Sequence, residues 1–504
     1  MSAHYASVRP AELDPRDLHE VRMTVRTFIM SSPSLLTEKL PLPIVLAGAL
    51  FLVQILFTFP GELDNDSRGQ LAQALSRQFA DWHPPVMALV WSWLIRLGGG
   101  AGSLLVLQQL LHWLGLGLIA DGCYRIGRRR EAWVIAAAGA FPVFLFYDKA
   151  VVKDAAMTSA FVAGTGLIVW FIVQNRRVPL WAVLLSSLCL LYGALIRTNA
   201  VFAIAPLLLL YFRAGRQLGI PKIIACAVLT AIVAVPLSSV INHRLIGAKA
   251  EYPIQSVQLF DLMGIAVHSA DNRVMGDDPP PETAIRACYT SYAWDTVSPW
   301  GICNGLRRGL GYPLDLETPK SAAIARTAQL WRSAILEHPM AYLAHRAENF
   351  NSSLYFVVPA LHYRYSKFTE LAPYGAKIIT QRDIYFDYFK KNFFFWPIVW
   401  VFMGFSVLVL LQLSVGAPIT LRIARLLILS ALLYAGAYLV VGVGTAYRYY
   451  YWTIMATLLG AILASREIGA VIRLRRRPAI LAFGGLLLII MVGLAARIAD
   501  VRFV

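Results

Sequence analysis

Charge is scarce in this chain. Only 15% of its 504 residues are Asp, Glu, Lys or Arg, whereas soluble domains carry about a quarter. That scarcity excludes an ordinary soluble globular protein. With 58% apolar residues and a mean hydropathy of +0.59, the composition is that of a polytopic membrane protein. Acidic residues are the rarer sign, 29 against 46 Lys and Arg, for a net charge of +17. In a soluble chain that excess would point to nucleic acid. In a membrane protein it reflects Lys- and Arg-rich loops held on the cytoplasmic side. No cleavable signal peptide is visible. The first forty residues carry charges of both signs, as in "AELDPRDLHEVRMTVR", and read as a cytoplasmic leader. No internal repeat or low-complexity tract stands out, which weakens a transporter reading.

Apolar runs are what the chain has in plenty. A crossing helix needs about twenty apolar residues. The candidates are 41–60, 102–121, 132–147, 155–173, 179–196, 199–212, 222–241, 395–413, 422–441, 450–465 and 479–498. The segment 84–97, after "DWHPP", is shorter and ends at Arg96 and "GGG". If it does not cross, "YRIGRRR" (124–130), "NRR" (175–177), "RAGRQLGIPK" (213–222), "LRIAR" (421–425) and "IRLRRR" (472–477) all share the leader's side. The positive-inside bias therefore makes 84–97 a juxtamembrane or re-entrant helix on the outer face. About eleven spans follow, with the N-terminus inside and the C-terminus outside. The chain divides into a leader (1–40), a transmembrane module (41–241) with outer loops 61–101 and 147–155, an outer loop domain (242–394) and C-terminal spans (395–504). The loop domain mixes polar and apolar residues and has helical stretches such as 318–350, so it reads as mostly helical.

Five cysteines are present, and two of them, Cys288 and Cys303, fall in that outer loop. An oxidising outer compartment favours a disulfide between them over two free thiols.

Ionisable groups near a bilayer are costly and usually face a polar cavity. Asp66 lies just beyond the first span. Asp154 and Lys153 open the fourth span, Arg197 ends the fifth and Arg448 begins the tenth. Any one could be an interfacial anchor. All of them at span ends on one face suit a site for an anionic ligand and a proton transfer, because Arg holds phosphate with paired donors and a carboxylate can accept a proton.

Four local features carry a resemblance to a known superfamily. An acidic residue precedes a helix and "HPP" in "DNDSRGQLAQALSRQFADWHPPVMALVW". "VVKDAAM" opens the second outer loop, "IRTNA" follows the fifth span, and "AYRYYYW" forms a late outer turn. In this order the chain resembles the GT-C superfamily of multispanning glycosyltransferases that use polyprenyl-phosphate-linked sugars. It looks closest to bacterial relatives of protein O-mannosyltransferases and lipid A aminoarabinose transferases.

The resemblance implies an all-α, GT-C-type bundle in a bacterial inner membrane, with its active site facing the periplasm. It implies an inverting transfer from a polyprenyl-phosphate sugar to a glycan, lipid or protein hydroxyl. Asp66 would act as base or position the acceptor, with Asp64 its rival in the D-x-D pair, and Asp154 would be the second-loop carboxylate. Arg448, Lys153 and Arg197 would hold the donor phosphate. His83 would start the juxtamembrane helix. Gln258 and Asp261 of "SVQLFDLMGIAVH" could line the cavity, as could Tyr447, or the stretch could be an ordinary packed helix. No cofactor is implied, and a divalent metal is not favoured. No glycine-rich phosphate loop is visible, which argues against a nucleotide-sugar donor.

Two other readings compete. An O-antigen ligase or polymerase would rely on loop arginines and a histidine, as in "AYLAHRAENF" (341–350) and "ALHYRYSKF" (360–368). A secondary transporter or flippase would place charged or helix-breaking groups near span centres, where Gln108, Gln109 and His112 are the main polar group.

Overall fold

Helices dominate because the apolar runs leave their backbone no polar partner but itself. The computed structural model describes residues 42–212, 219–298, 301–303, 305, 320–359, 369–370, 392–414, 416 and 418–501. The expected leader and the stretch 360–368 lie outside the described residues.

In chain order the elements are α1 (Leu42–Thr58), β1 (Glu62–Leu63), α2 (Asn65–Ser76), α3 (Val86–Leu94), α4 (Ser103–Arg125), α5 (Arg129–Ala138), α6 (Pro142–Asp148), α7 (Lys153–Val173), α8 (Leu180–Leu195), α9 (Val201–Leu208) and α10 (Ile220–Val240). There follow α11 (Ile254–Ser269), α12 (Glu282–Cys288), α13 (Lys320–Glu337), α14 (Pro339–Ser353) and β2 (Thr369–Glu370). The chain closes with α15 (Pro397–Gln412), α16 (Ile419–Val441), α17 (Tyr451–Leu463), α18 (Ser465–Leu474) and α19 (Arg476–Ile498). Residues Pro43–Val504 cluster as one unit.

Six helical segments among the described residues are long and apolar enough to cross a membrane: α4, α5 with α6, α7, α10 with the turn after it, α16 and α19. The α17–α18 pair makes a seventh if taken as one span bent by 63°. Helices α1, α8 and α15 and the segment Thr198–Phe212 are apolar but shorter, as is Val86–Gly99.

The bundle is built around α7, which other helices enclose almost entirely, while α10 and α19 turn most of their apolar surface outward. Its closest neighbour is α4. Glycines make that approach: a Cβ on Gly115 would stand 2.4 Å from Val162 O, and one on Gly166 2.5 Å from Gly115 O. Small residues at a crossing let two backbones touch, which is how membrane helices pack without a hydrophobic drive between them.

Helix α7 is about 30 Å long at 1.5 Å per residue, and the two ends of the bundle differ. At one end α1 finishes and α4 begins, tied by Gln109 Nε2 donating to Thr58 Oγ1 at 2.8 Å. Segment 61–102, including α3, therefore starts and finishes at the same end. At the other end the arginine-bearing turns meet. Arg128 donates to Leu463 O at 2.9 Å and pairs with Glu467, and Arg466 pairs with Glu131. The "IRLRRR" stretch, expected as a loop, is helical there: α18 runs through Leu474 and α19 starts at Arg476.

The segment between α10 and α15 has a core of its own, where α11 packs against α13 and α14. Its described part is mostly helical, with the short strand β2, and Cys288 and Cys303 are joined in a disulfide.

Candidate functional site

The first and second loops are sewn together at the end where α7 begins. Val151 N donates to Glu62 O at 2.9 Å and Glu62 N to Lys149 O at 3.1 Å, a parallel bridge across Ala150. The side chains of Glu62 and Lys149 pair beneath it at 2.9 Å, both nearly buried. From α4, Gln108 and Gln109 donate to Ala150 O and Asp148 O at 3.1 and 2.9 Å. On the other edge, β1 pairs antiparallel with β2.

On this platform the two aspartates of "DND" separate in role. Asp64 is the N-cap of α2: its Oδ1 accepts from Ser67 N at 2.8 Å and Ser67 Oγ at 2.7 Å. A short side chain that accepts from the first turn satisfies one of its orphan donors. The other oxygen of Asp64 pairs with Arg448 Nη1, and the residue is buried. Asp66 sits in the first turn of the helix, with its side chain 32% exposed.

Arg448 joins the three carboxylates. Its Nη2 donates to Asp66 Oδ2 at 2.7 Å, and its Nε lies 3.5 Å from Asp154 Oδ2. Asp154, fully buried at the head of α7, also pairs with Arg197 Nη1 at 3.0 Å. Lys153 Nζ lies 3.4 Å from Asp66 Oδ2 and 2.8 Å from His83 Nδ1, while His83 Nε2 is 3.5 Å from Asp66 Oδ1. The structure thus brings Asp64, Asp66, His83, Lys153, Asp154, Arg197 and Arg448 into one cluster. Its three carboxylates face the basic side chains of Lys153, Arg197 and Arg448. Burial works against the charge on Asp66, but the Lys153 ammonium, the His83 hydrogen bond and Arg448 outweigh it and hold the carboxyl well below the usual carboxylate range. Burial and then Lys153 push His83 below its ordinary value, against the pull of Asp66.

The turn Tyr447–Tyr450 that carries Arg448 is fastened from outside the bundle. Arg346 donates to Gly442 O and Tyr355 to Thr445 O, both at 2.6 Å; Trp294 N donates to Val443 O at 3.0 Å; Tyr450 OH bonds Ser353 Oγ at 2.8 Å.

Four further candidates are engaged in packing of their own, and for Gln258 and Asp261 the packed-helix alternative is the one found. Arg197 is committed: its guanidinium donates to Tyr438 OH at 2.7 Å and lies 4.5 Å from the Tyr449 ring centroid, besides pairing with Asp154. It orients the carboxylate rather than opening to a ligand. Tyr447 is fully buried, donates to Phe394 O at 2.9 Å and stacks on Tyr147, so it lines no cavity. Gln258 and Asp261 belong to the separate core around α11. Asp261 pairs there with Arg346 Nε at 2.7 Å and lies 3.3 Å from His345 Nε2, and it accepts from Trp331 Nε1 at 2.7 Å. Gly264 allows this, because a Cβ there would come within 2.1 Å of the His345 ring.

Sequence reasoning missed the Glu62–Lys149 pair and the Tyr438–Tyr449 box around Arg197. Spacing carries no signal for either, since their members come from separate parts of the chain. An open groove of about 670 Å³ lined by Arg177, Val183, Ser187, Tyr211 and Phe212 lies where α8 meets the end of α9, and no carboxylate lines it. Among the described residues no cluster of His, Cys, Asp and Glu has a metal-holding arrangement.

No protein-family model, no curated protein and no solved structure matches this chain.

Proposed function

We propose that this protein is an inverting glycosyltransferase that moves a sugar from a polyprenyl-phosphate donor to an acceptor hydroxyl. We further propose that it crosses the bacterial inner membrane eleven times, with the carboxylate–guanidinium cluster facing the periplasm and α3 lying along that surface. The observation that carries the reading is the meeting of Asp64, Asp66, Asp154, Lys153 and Arg448, drawn from three separate loops, at one end of an apolar bundle. A lipid-linked donor needs its phosphate at the membrane surface and its chain in the hydrocarbon, and this end of the bundle supplies groups for such a phosphate.

The chemistry asks for little more. The donor phosphate is a good leaving group once its developing charge is met by fixed cations. Arg448 and Lys153 are the two cations that touch the part-open carboxylate, so a phosphate oxygen arriving there competes with Asp66 Oδ2 for both. Asp66 is then released toward the acceptor. Asp154, between Arg197 and Arg448, holds the guanidinium in place. Each carboxylate already faces a cation, which supports a reaction run on side-chain charge rather than on a divalent metal.

Some residues behind the rival readings are engaged elsewhere. Of the two stretches that kept a ligase or polymerase open, 341–350 has His345 and Arg346 sealed in the α11 core at 0% and 2% exposure, and 360–368 lies outside the described residues. Of the polar residues of a span that a transporter would use, Gln108 and Gln109 brace the second loop, while His112 is buried 3.5 Å from Asp148.

The test is single substitution. Asp66→Asn and Asp154→Asn, assayed in detergent with polyprenyl-phosphate sugars, are expected to cut transfer by about a hundredfold or more with the fold retained. Full activity in both variants would remove the cluster from the reaction.

A further inference from the structure

His83 is the member of the cluster whose chemistry remains unused. It stands between α2 and α3, followed by two prolines, which lack a backbone N–H and restrict the residue before them, so that helix starts only at Val86. Its Nδ1 is 2.8 Å from Lys153 Nζ and its Nε2 3.5 Å from Asp66 Oδ1. An ammonium has donors only. Nδ1 is therefore the acceptor, and the ring proton sits on Nε2, aimed at Asp66. The charged groups that face the ring are Lys153 from α7, Asp66 from α2 and Arg448 from the turn before α17. The ring is 18% exposed, whereas the side chains of Asp64 and Asp154 are 6% and 1% exposed.

Resting on the transferase reading, we propose that His83 Nδ1, rather than Asp66, takes the proton from the acceptor hydroxyl, and that the donor phosphate uncovers it by drawing Lys153 away. One ammonium cannot serve a neutral imidazole and a phosphate oxygen equally, since a bond to an ionised acceptor is roughly twice as strong. Asp66, even when the phosphate frees its Oδ2 from Arg448, keeps Oδ1 toward His83 Nε2, 3.5 Å away, and is placed to back the ring rather than to replace it. A carboxylate at Nε2–H instead fixes the tautomer and stabilises the imidazolium, which is the part a buried aspartate plays in hydrolase triads.

The step balances. The acceptor oxygen bonds to the anomeric carbon, and the bond from that carbon to the phosphate oxygen breaks with its electron pair going to the phosphate. The hydroxyl proton passes to Nδ1, and the polyprenyl phosphate leaves with one more negative charge, opposite Arg448 and Lys153. When it departs, Lys153 returns to the ring, and like-charge repulsion expels the proton to solvent.

Two measurements test this and fail separately from the transferase reading. The first needs no sugar. The purified protein is treated with diethyl pyrocarbonate across pH 5–8, with and without undecaprenyl phosphate, and carbethoxylation of His83 is followed by peptide mass spectrometry. Undecaprenyl phosphate is expected to speed modification and raise its pH midpoint, and Lys153→Met to do both without lipid. Bound undecaprenyl phosphate that leaves His83 reactivity unchanged overturns the proposal. A wild-type protein that retains no undecaprenyl phosphate overturns the transferase reading and this step with it. The second follows transfer. His83→Gln is expected to lower kcat by about a hundredfold or more, with donor KM within about threefold of wild type, and to abolish the acid limb of the pH profile. A variant that keeps both turnover and the limb overturns the role of His83 and leaves the transferase reading standing.

Discussion

Asp64 and Asp66 are two positions apart, yet burial gives them different work. Asp64 caps a helix and neutralises a buried guanidinium; Asp66 is part-open to solvent. Breaking a buried pair strands a charge, at about 3–5 kcal/mol. Asp64→Asn is therefore expected to lower the thermal unfolding midpoint in detergent markedly, and Asp66→Asn far less, although both depress transfer. Fluorescence-monitored melting separates them. The acidic pair, the "KD" and the late arginine were legible in the sequence because composition and span order put them on one side. Who meets whom was not legible: Arg448 finds Asp64 across 384 positions, and no local spacing encodes that. Arg197 shows the same gap. An arginine at a span end suggests a ligand contact, and only the packed Tyr438 and Tyr449 reveal that its guanidinium is already taken.

Among the elements, apolar helices were the easiest to read, since long apolar runs leave the backbone no other choice. Each expected span overlaps a helix, six or seven of the described helical segments are long enough to cross, and the short segment 84–97 is held at the end it started from. The break after α17 was harder. "ILASREIG" contains no proline, and the bend sits where Arg466 and Glu467 are pulled to Glu131 and Arg128 of the α4–α5 turn. The α4–α7 crossing depends on the absence of side chains. Gly115→Leu would push a branched group into Val162 O and is expected to reduce the monodisperse fraction on size-exclusion chromatography, whereas Gly48→Leu, with nothing within 4 Å of its Cβ, should not.

For the whole molecule, the segment between α10 and α15 is part of the site's scaffold. Its helical character could be anticipated; that its histidine and arginine would be locked inside could not, because their partner Asp261 comes from another helix. Burial pushes His345 below its ordinary value, with Asp261 opposing and Arg346 and His268 reinforcing, while Tyr289 OH lies 2.9 Å from Nδ1. A base whose folded pKa is lowered binds fewer protons folded than unfolded, so stability is lost as pH falls below about 6.5. The melting midpoint should drop between pH 7 and 5, with a shallower slope in His345→Gln. The fastening of the Arg448 turn by Arg346, Tyr355 and Trp294 also bears on biosynthesis. A ribosome delivers Asp64 hundreds of residues before Arg448, the guanidinium that neutralises it, whereas Lys153 and Arg197 reach Asp66 and Asp154 early, so a nascent chain carries one uncompensated carboxylate at this mouth until the last helices arrive. Quality control that recognises uncompensated charge at the membrane could read completion directly from that turn.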